Sequence, residues 1–140
     1  MDHLAIMDKN RKFLNKIIAG EKSIESRWYK FKRHPYQNIS PGDNIYFKDS
    51  GDPVAVKAQV SKVLFFDSLN NTKIVEILEK YGRDICLPVS YASELADKHF
   101  CTLIFLEQVN KIVPFNVDKT GYGLMTAWIT VDDIKKITKT

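Results

Sequence analysis

Much of what would mark a specialised chain is missing from these 140 residues. The two cysteines, Cys86 and Cys101, stand apart with no CxxC spacing and no histidine pairing. That excludes a disulfide scaffold or a zinc ribbon and predicts two buried, reduced thiols. No segment approaches the roughly 20 apolar residues that span a bilayer, and nothing near the N-terminus resembles a secretory signal. A cytoplasmic chain without a membrane partner is expected. His3, His34 and His99 show no mutual spacing that would pair them as acid and base. Thr120-Gly121-Tyr122-Gly123 lacks the third glycine, and the strand before and helix after, that a dinucleotide loop requires. Asp132 and Asp133 suit the first turn of a terminal helix better than a metal, so no metal and no cofactor is expected. No repeat, low-complexity tract or linker divides the chain, which reads as one domain over residues 1–140.

What is present describes a globular chain with a phosphate-tolerant charge. Hydrophobic residues make up 44% and charged residues 27%, with a net charge of +4 and a pI near 9.0. A mildly basic balance permits an anionic partner. His3–Met7 reads as a strand, after which Asp8 can cap a helix carrying Phe13, Leu14, Ile17 and Ile18 on one face, with Gly20 ending it. Residues 22–29 look extended. Pro41-Gly42-Asp43 turns into a strand at 44–48, and Asp49-Ser50-Gly51-Asp52-Pro53 turns again. Val54, Val56, Ala58 and Val60 alternate with polar or small residues, and the apolar phase shifts at Val63–Phe66, which predicts a bulge. A helix from Asn70 or Asn71 carries Ile74, Ile77, Leu78 and Tyr81, with Gly82 just past its end, and a short helix fits 90–98. Residues 101–109 are apolar on both faces and predict a central strand, with further strands at 112–117 and 125–129. Strands follow strands more often than helices, so the fold class is α+β, a small barrel-like sheet of five to six mostly antiparallel strands flanked by helices.

One stretch looks unlike a core. Lys22, Arg27, Lys30, Lys32 and Arg33 crowd five cations into residues 20–33 with Glu21 and Glu25 among them, interleaved with Trp28, Tyr29, Phe31 and, beyond, Tyr36. Cations repel unless solvated, paired or facing an anion. Cation plus aromatic is also the chemistry by which single-stranded nucleic acid is held. If 23–29 is a strand, Glu25, Arg27 and Tyr29 share one face and Ile24, Ser26 and Trp28 the other. Glu25 would then orient Arg27. Lys22 has the wrong parity but can swing in from the turn after Gly20. The competing explanation is a surface strand with a charge ladder, and Trp28 can be core or stacking platform. Lys48 shares a face with Tyr46, away from Ile45 and Phe47, as a second phosphate contact. Trp128 is read as core that could also wall the pocket, and Tyr122 as a rim residue.

Gly20, Lys22, Glu25 and Arg27 reproduce the G-x-K-x-x-E-x-R motif of the ASCH domain, a branch of the PUA-like superfamily, and the chain resembles it well beyond the motif. The leading strand and helix, the Pro-Gly-Asp turn into Ile45-Tyr46-Phe47-Lys48, the Ser50-Gly51 turn and the late Ala127-Trp128 are similar, from about His3 to Ile137. The resemblance implies a PUA-like β-barrel flanked by helices, a cleft lined by Lys22, Glu25 and Arg27, and a role with RNA or a nucleotide. Some bacterial members remove an acyl group from the exocyclic amine of a modified cytidine. They carry a threonine where this chain has Glu25, so that hydroxyl is missing here. Other members are described as ribonucleases.

Two functions of different class follow. One is a binding module for single-stranded RNA or a (modified) nucleoside or nucleotide, with Lys22, Arg27, Lys30, Lys32, Arg33 and Lys48 toward phosphate, Glu25 as acceptor, and Trp28, Tyr29 and Trp128 available for stacking. The other is an amidohydrolase acting on an N4-acylated cytidine-type nucleoside, with Lys22 and Glu25 as its catalytic residues. Lys22 beside Arg27 would lose basicity while Glu25 restored it, so spacing leaves base and fixed cation equally open. A third, plainer possibility is a basic strip that meets an acidic protein.

Overall fold

The alternation along Val54–Val60 is realised as burial: Val54, Val56, Ala58 and Val60 are buried, while Ala55, Lys57 and Gln59 between them are only half-buried. Such a strand needs a core on one face and neighbours on both edges. The computed structural model, which describes residues 1–123 and 125–139, supplies both. Strands β1 (Asp2–Met7), β2 (Ile24–Tyr29), β3 (Asn44–Asp49), β4 (Val54–Phe66), β5 (Phe100–Phe115) and β6 (Trp128–Val131) form one sheet in the order β2-β5-β4-β3-β1-β6. Only β1 and β3 run parallel; the other neighbouring pairs are antiparallel. This is the expected α+β arrangement, with the barrel left half open. No ladder joins β2 to β6 among the described residues. Instead the sheet curls until the Arg27 guanidinium on β2 donates to the carbonyls of Ile6 and Ala127 across the gap.

Curling is driven by bulges, which bend and twist a strand locally. Register slips occur along β4 at Val54/Val56, Lys57/Gln59 and Val60/Lys62. The last lies where the apolar phase of the sequence shifts. Inside the curl, Ala5, Ile45, Phe47, Val56, Ala58 and Ile104 pack with Leu14 and Ile17 of helix α1 (Phe13–Ile18). On the outer face of β2 and β5, helix α2 (Asn71–Ile85) lays Ile74, Ile77, Leu78 and Ile85 against Ile24 and Leu103. Each such side chain removed from water contributes about 1.5–3 kcal/mol. Asn70 caps α2 by accepting from the Lys73 N–H at 2.9 Å. No helix among the described residues is long and apolar enough to cross a membrane.

Several local expectations change. Asp8 caps a 3₁₀ turn at Lys9–Arg11, not α1; Lys12, in the left-handed region at φ 56°, separates the two. Ile18 is consequently exposed. Gly82 lies inside α2, not past its end. The chain doubles back after the left-handed Cys86, and a Cβ at Gly82 would sit 2.6 Å from the Leu87 carbonyl oxygen. Residues 112–115 continue β5 and are not a separate strand, β6 begins only at Trp128, and Val117 merely bridges Thr138. The 90–98 helix is a 3₁₀ segment, Val89–Leu95. Both thiols are free, but only Cys101 is buried; Cys86 is half-buried. Asp133 caps a final 3₁₀ turn at Ile134–Ile137 by accepting from Lys135 N–H.

Candidate functional site

The turn that ends α1 delivers Lys22. Gly20 takes φ +82°, a left-handed conformation that costs a glycine little. The Glu21 and Lys22 amides then both donate to the Lys16 carbonyl, at 3.0 and 3.1 Å. Ser23 N–H donates to the Asp84 carbonyl at 3.0 Å, pinning the turn against the C-terminal end of α2. Lys22 therefore points inward and is 2% exposed. Its Nζ donates to the Ile85 carbonyl at 2.7 Å and the Ile24 carbonyl at 2.9 Å, lies 3.3 Å from Glu25 Oε1, and sits 4.7 Å from the centre of the Phe13 ring. Ile85 ends α2, so the ammonium caps an otherwise orphaned carbonyl at the negative end of the helix.

Strand parity places Glu25 and Arg27 side by side, as the spacing predicts. Glu25 is 3% exposed. Its Oε1 accepts from the Ser26 amide at 3.1 Å, and its Oε2 accepts from Arg27 Nε at 3.1 Å and Nη2 at 2.9 Å. Burial on its own would raise the Glu25 carboxyl, but Lys22 and Arg27 hold it below the usual carboxylate range. Burial draws the Lys22 ammonium below its ordinary value against the pull of Glu25. Arg27 keeps longer bonds to Ala127 and Ile6, at 3.3 and 3.4 Å, and its guanidinium lies 5.0 Å from the centre of the Trp128 ring.

Beside this network opens a cavity of about 400 Å³. Lys22, Glu25, Arg27 and Trp28 all line it, together with Ser26, Phe13, Arg11, Tyr91, Lys98 and Asp8. Trp28 is half-buried, its Nε1 donating to Ser26 Oγ at 2.9 Å, so the indole is fixed in orientation. The other candidates lie elsewhere. Tyr29 is buried, its hydroxyl close to Thr102, and burial pushes its pKa up. Lys30, Lys32 and Arg33 are exposed beyond the end of β2, where Lys32 Nζ lies 5.9 Å from the centres of both the Tyr36 and Phe100 rings. Lys48 is buried outside the cavity wall, its ammonium lowered by burial and by Lys119. Trp128 is core; its Nε1 donates to His3 Nδ1 at 3.2 Å, and its ring backs Arg27 without lining the cavity. Tyr122 is exposed and forms no part of the wall.

No family model and no curated protein matches the chain. Solved structures do. ASCH from Zymomonas mobilis superposes with a TM-score of 0.70 at 15% identity, covering 99% of this chain and 96% of that one. A single-residue variant of the same protein gives 0.71 at 15% identity, over 96% and 93% of the two chains. The chain has the ASCH fold. A hypothetical protein of solved structure also resembles it, with a TM-score of 0.52 at 26% identity over 80% of this chain and 100% of that one.

Within this ASCH fold, sequence reasoning missed the side of the cavity opposite the motif. Arg11 comes from the 3₁₀ turn after β1, Phe13 from the start of α1, and Tyr91 and Lys98 from the segment between α2 and β5. Phe13 had a visible role as helix core. Nothing in linear spacing connects Arg11 with Tyr91, whose hydroxyl accepts from Arg11 Nη1 at 2.8 Å.

Proposed function

We propose that this chain binds a single nucleoside or nucleotide unit, free or unstacked from an RNA, with its base held in the cavity beside Lys22, Glu25 and Arg27. The observation that carries this is the convergence of Lys22, Glu25, Arg27 and Trp28 on one cavity of about 400 Å³, toward the small end of ligand pockets. A strand of several bases would extend along further cations, and the exposed Lys30, Lys32 and Arg33 lie outside this cavity. Inside it, a flat heterocycle meets the aromatic surface of Trp28. Its polar edge meets Arg27, whose bonds to Ala127 and Ile6 are long enough to yield to a better acceptor.

The same geometry favours binding over hydrolysis. A general base needs a free lone pair within reach of its proton. Lys22 Nζ is surrounded by three acceptors, and the Glu25 oxygens accept from Ser26, Lys22 and Arg27. Both side chains are engaged in building the wall. Calorimetric titration with the four common nucleosides tests the proposal. Saturable one-to-one binding that is lost in Arg27→Ala, with a folded variant by circular dichroism, is expected. Turnover of N4-acetylcytidine by the wild type, abolished in Lys22→Ala, would replace binding with hydrolysis.

A further inference from the structure

The rim of the cavity carries charge that the Lys22–Glu25–Arg27 network does not neutralise. Arg11 packs its guanidinium on two rings, 4.8 Å from the centre of Phe13 and 4.7 Å from that of Tyr91. Stacking of this kind fixes the plane of the group while leaving its edge open. Of the five N–H donors an arginine carries, one is engaged, by the Tyr91 hydroxyl. Among the described residues no carboxylate lies within ion-pair distance of Arg11. Asp8 also lines the cavity, but its carboxylate accepts from the Asn10 amide. Lys98, on the same wall, has among the described residues one carboxylate near it, that of Asp97, at 3.9 Å and largely exposed.

Summed over the lining, four cations (Arg11, Lys22, Arg27, Lys98) face two carboxylates (Asp8, Glu25), and even with Asp97 beside Lys98 the balance stays positive. A neutral nucleoside leaves that surplus of positive charge unanswered. A phosphate monoester, close to a dianion at neutral pH, matches it in sign. We infer that the ligand is a nucleoside monophosphate, its phosphate held at the rim by the ring-clamped Arg11 and by Lys98 while its base points toward Arg27 and Trp28. This rests on the base-binding function proposed above, and it adds the charged half of the ligand. Arg11 suits the task because a planar fork can bond two phosphate oxygens at once. Lys98 adds a point charge on a flexible stem.

The test compares affinities within one experiment. The full chain is titrated calorimetrically with each nucleoside and with its 5′- and 3′-monophosphates, at low and high salt, and the titrations are repeated on Arg11→Gln and Lys98→Gln. The monophosphate of the preferred base is expected to bind about tenfold or more tightly than the nucleoside, as charge-assisted bonds to phosphate imply. That ratio should shrink with salt and fall toward unity in Arg11→Gln, with a smaller fall in Lys98→Gln. If Arg11 only supports the packing of Phe13 and Tyr91, its loss weakens both ligands alike and leaves the ratio unchanged, which overturns the inference. Equal wild-type affinity for nucleoside and monophosphate overturns it too, while leaving base binding intact. Failure of every ligand to bind overturns both.

Discussion

Replacing Glu25 with glutamine changes one charge and almost no volume, which makes it a sharp probe of the buried network. In the wild type the carboxylate accepts from Ser26, Lys22 and Arg27 at 2.9–3.3 Å while only 3% exposed. An amide keeps one acceptor oxygen, but its NH₂ must face either Arg27 or the Ser26–Lys22 side, setting donor against donor. It also leaves two cations without a counter-ion. Breaking a buried ion pair from one side costs roughly 3–5 kcal/mol. Lys22 retains the Ile24 and Ile85 carbonyls and Arg27 is partly solvated, so the lower end, about 3 kcal/mol, is expected. That is a large share of a typical stability of about 5–15 kcal/mol.

The loss should depend on pH with a definite sign. The folded pKa of Glu25 lies below its reference of 4.5. Its contribution is therefore complete above that value and disappears as pH falls through the lower folded value. Urea unfolding followed by circular dichroism at pH 7, and at steps below pH 4.5, measures both variants. The difference between wild type and Glu25→Gln should shrink on acidification. A variant within about 0.5 kcal/mol of wild type at neutral pH, the usual range for surface changes, would mean that the Glu25 charge does not hold the network together. So would a difference that stays constant with pH.

Other consequences are equally specific. Gly82→Ala gains up to about 1 kcal/mol of helix propensity, but it must move the Leu87 carbonyl from 2.6 Å, and overpacking costs about 1–3 kcal/mol; denaturation should show a net loss. His3 is fully buried, and burial lowers its pKa below 6.5 despite Asp43, so wild-type stability should decline as pH falls from 6.5 through the lower folded value. His3→Gln should flatten that slope in the same unfolding assay, and an unchanged slope would assign it to another group. Removing the charges of the loop, with Lys30, Lys32 and Arg33 all changed to Ala, should leave nucleoside affinity by calorimetry at the wild-type value; a severalfold loss would bring that loop into the site.

How much of this was visible in the residues varies with the range of the interaction. Alternation along Val54–Val60 and the phase shift after it specify β4 and its last bulge, because period and burial are local properties of a strand. Parity on β2 likewise makes Glu25 and Arg27 neighbours before any tertiary contact is known. Lys22 defies parity, and its route inward depends on the end of α2, some 60 residues away in sequence. Gly82 resembled a helix terminator, yet what makes it glycine is a carbonyl from the returning chain. The crowd of cations at 30–33 drew attention in excess of its place in the cavity, since an exposed loop tolerates charge without a ligand. Arg11, Tyr91 and Lys98 left no linear signal, because the turn after β1 and the segment between α2 and β5 meet there only in the folded chain.

Everything above about ligand binding depends on a nucleobase entering the cavity beside Lys22, Glu25 and Arg27. The most direct measurement is a crystal structure of the chain grown with the tightest-binding monophosphate. Density for the base is expected between Arg27 and Trp28, with phosphate at Arg11 and Lys98. Ligand density confined to the loop at Lys30–Arg33, with the cavity empty, would contradict it.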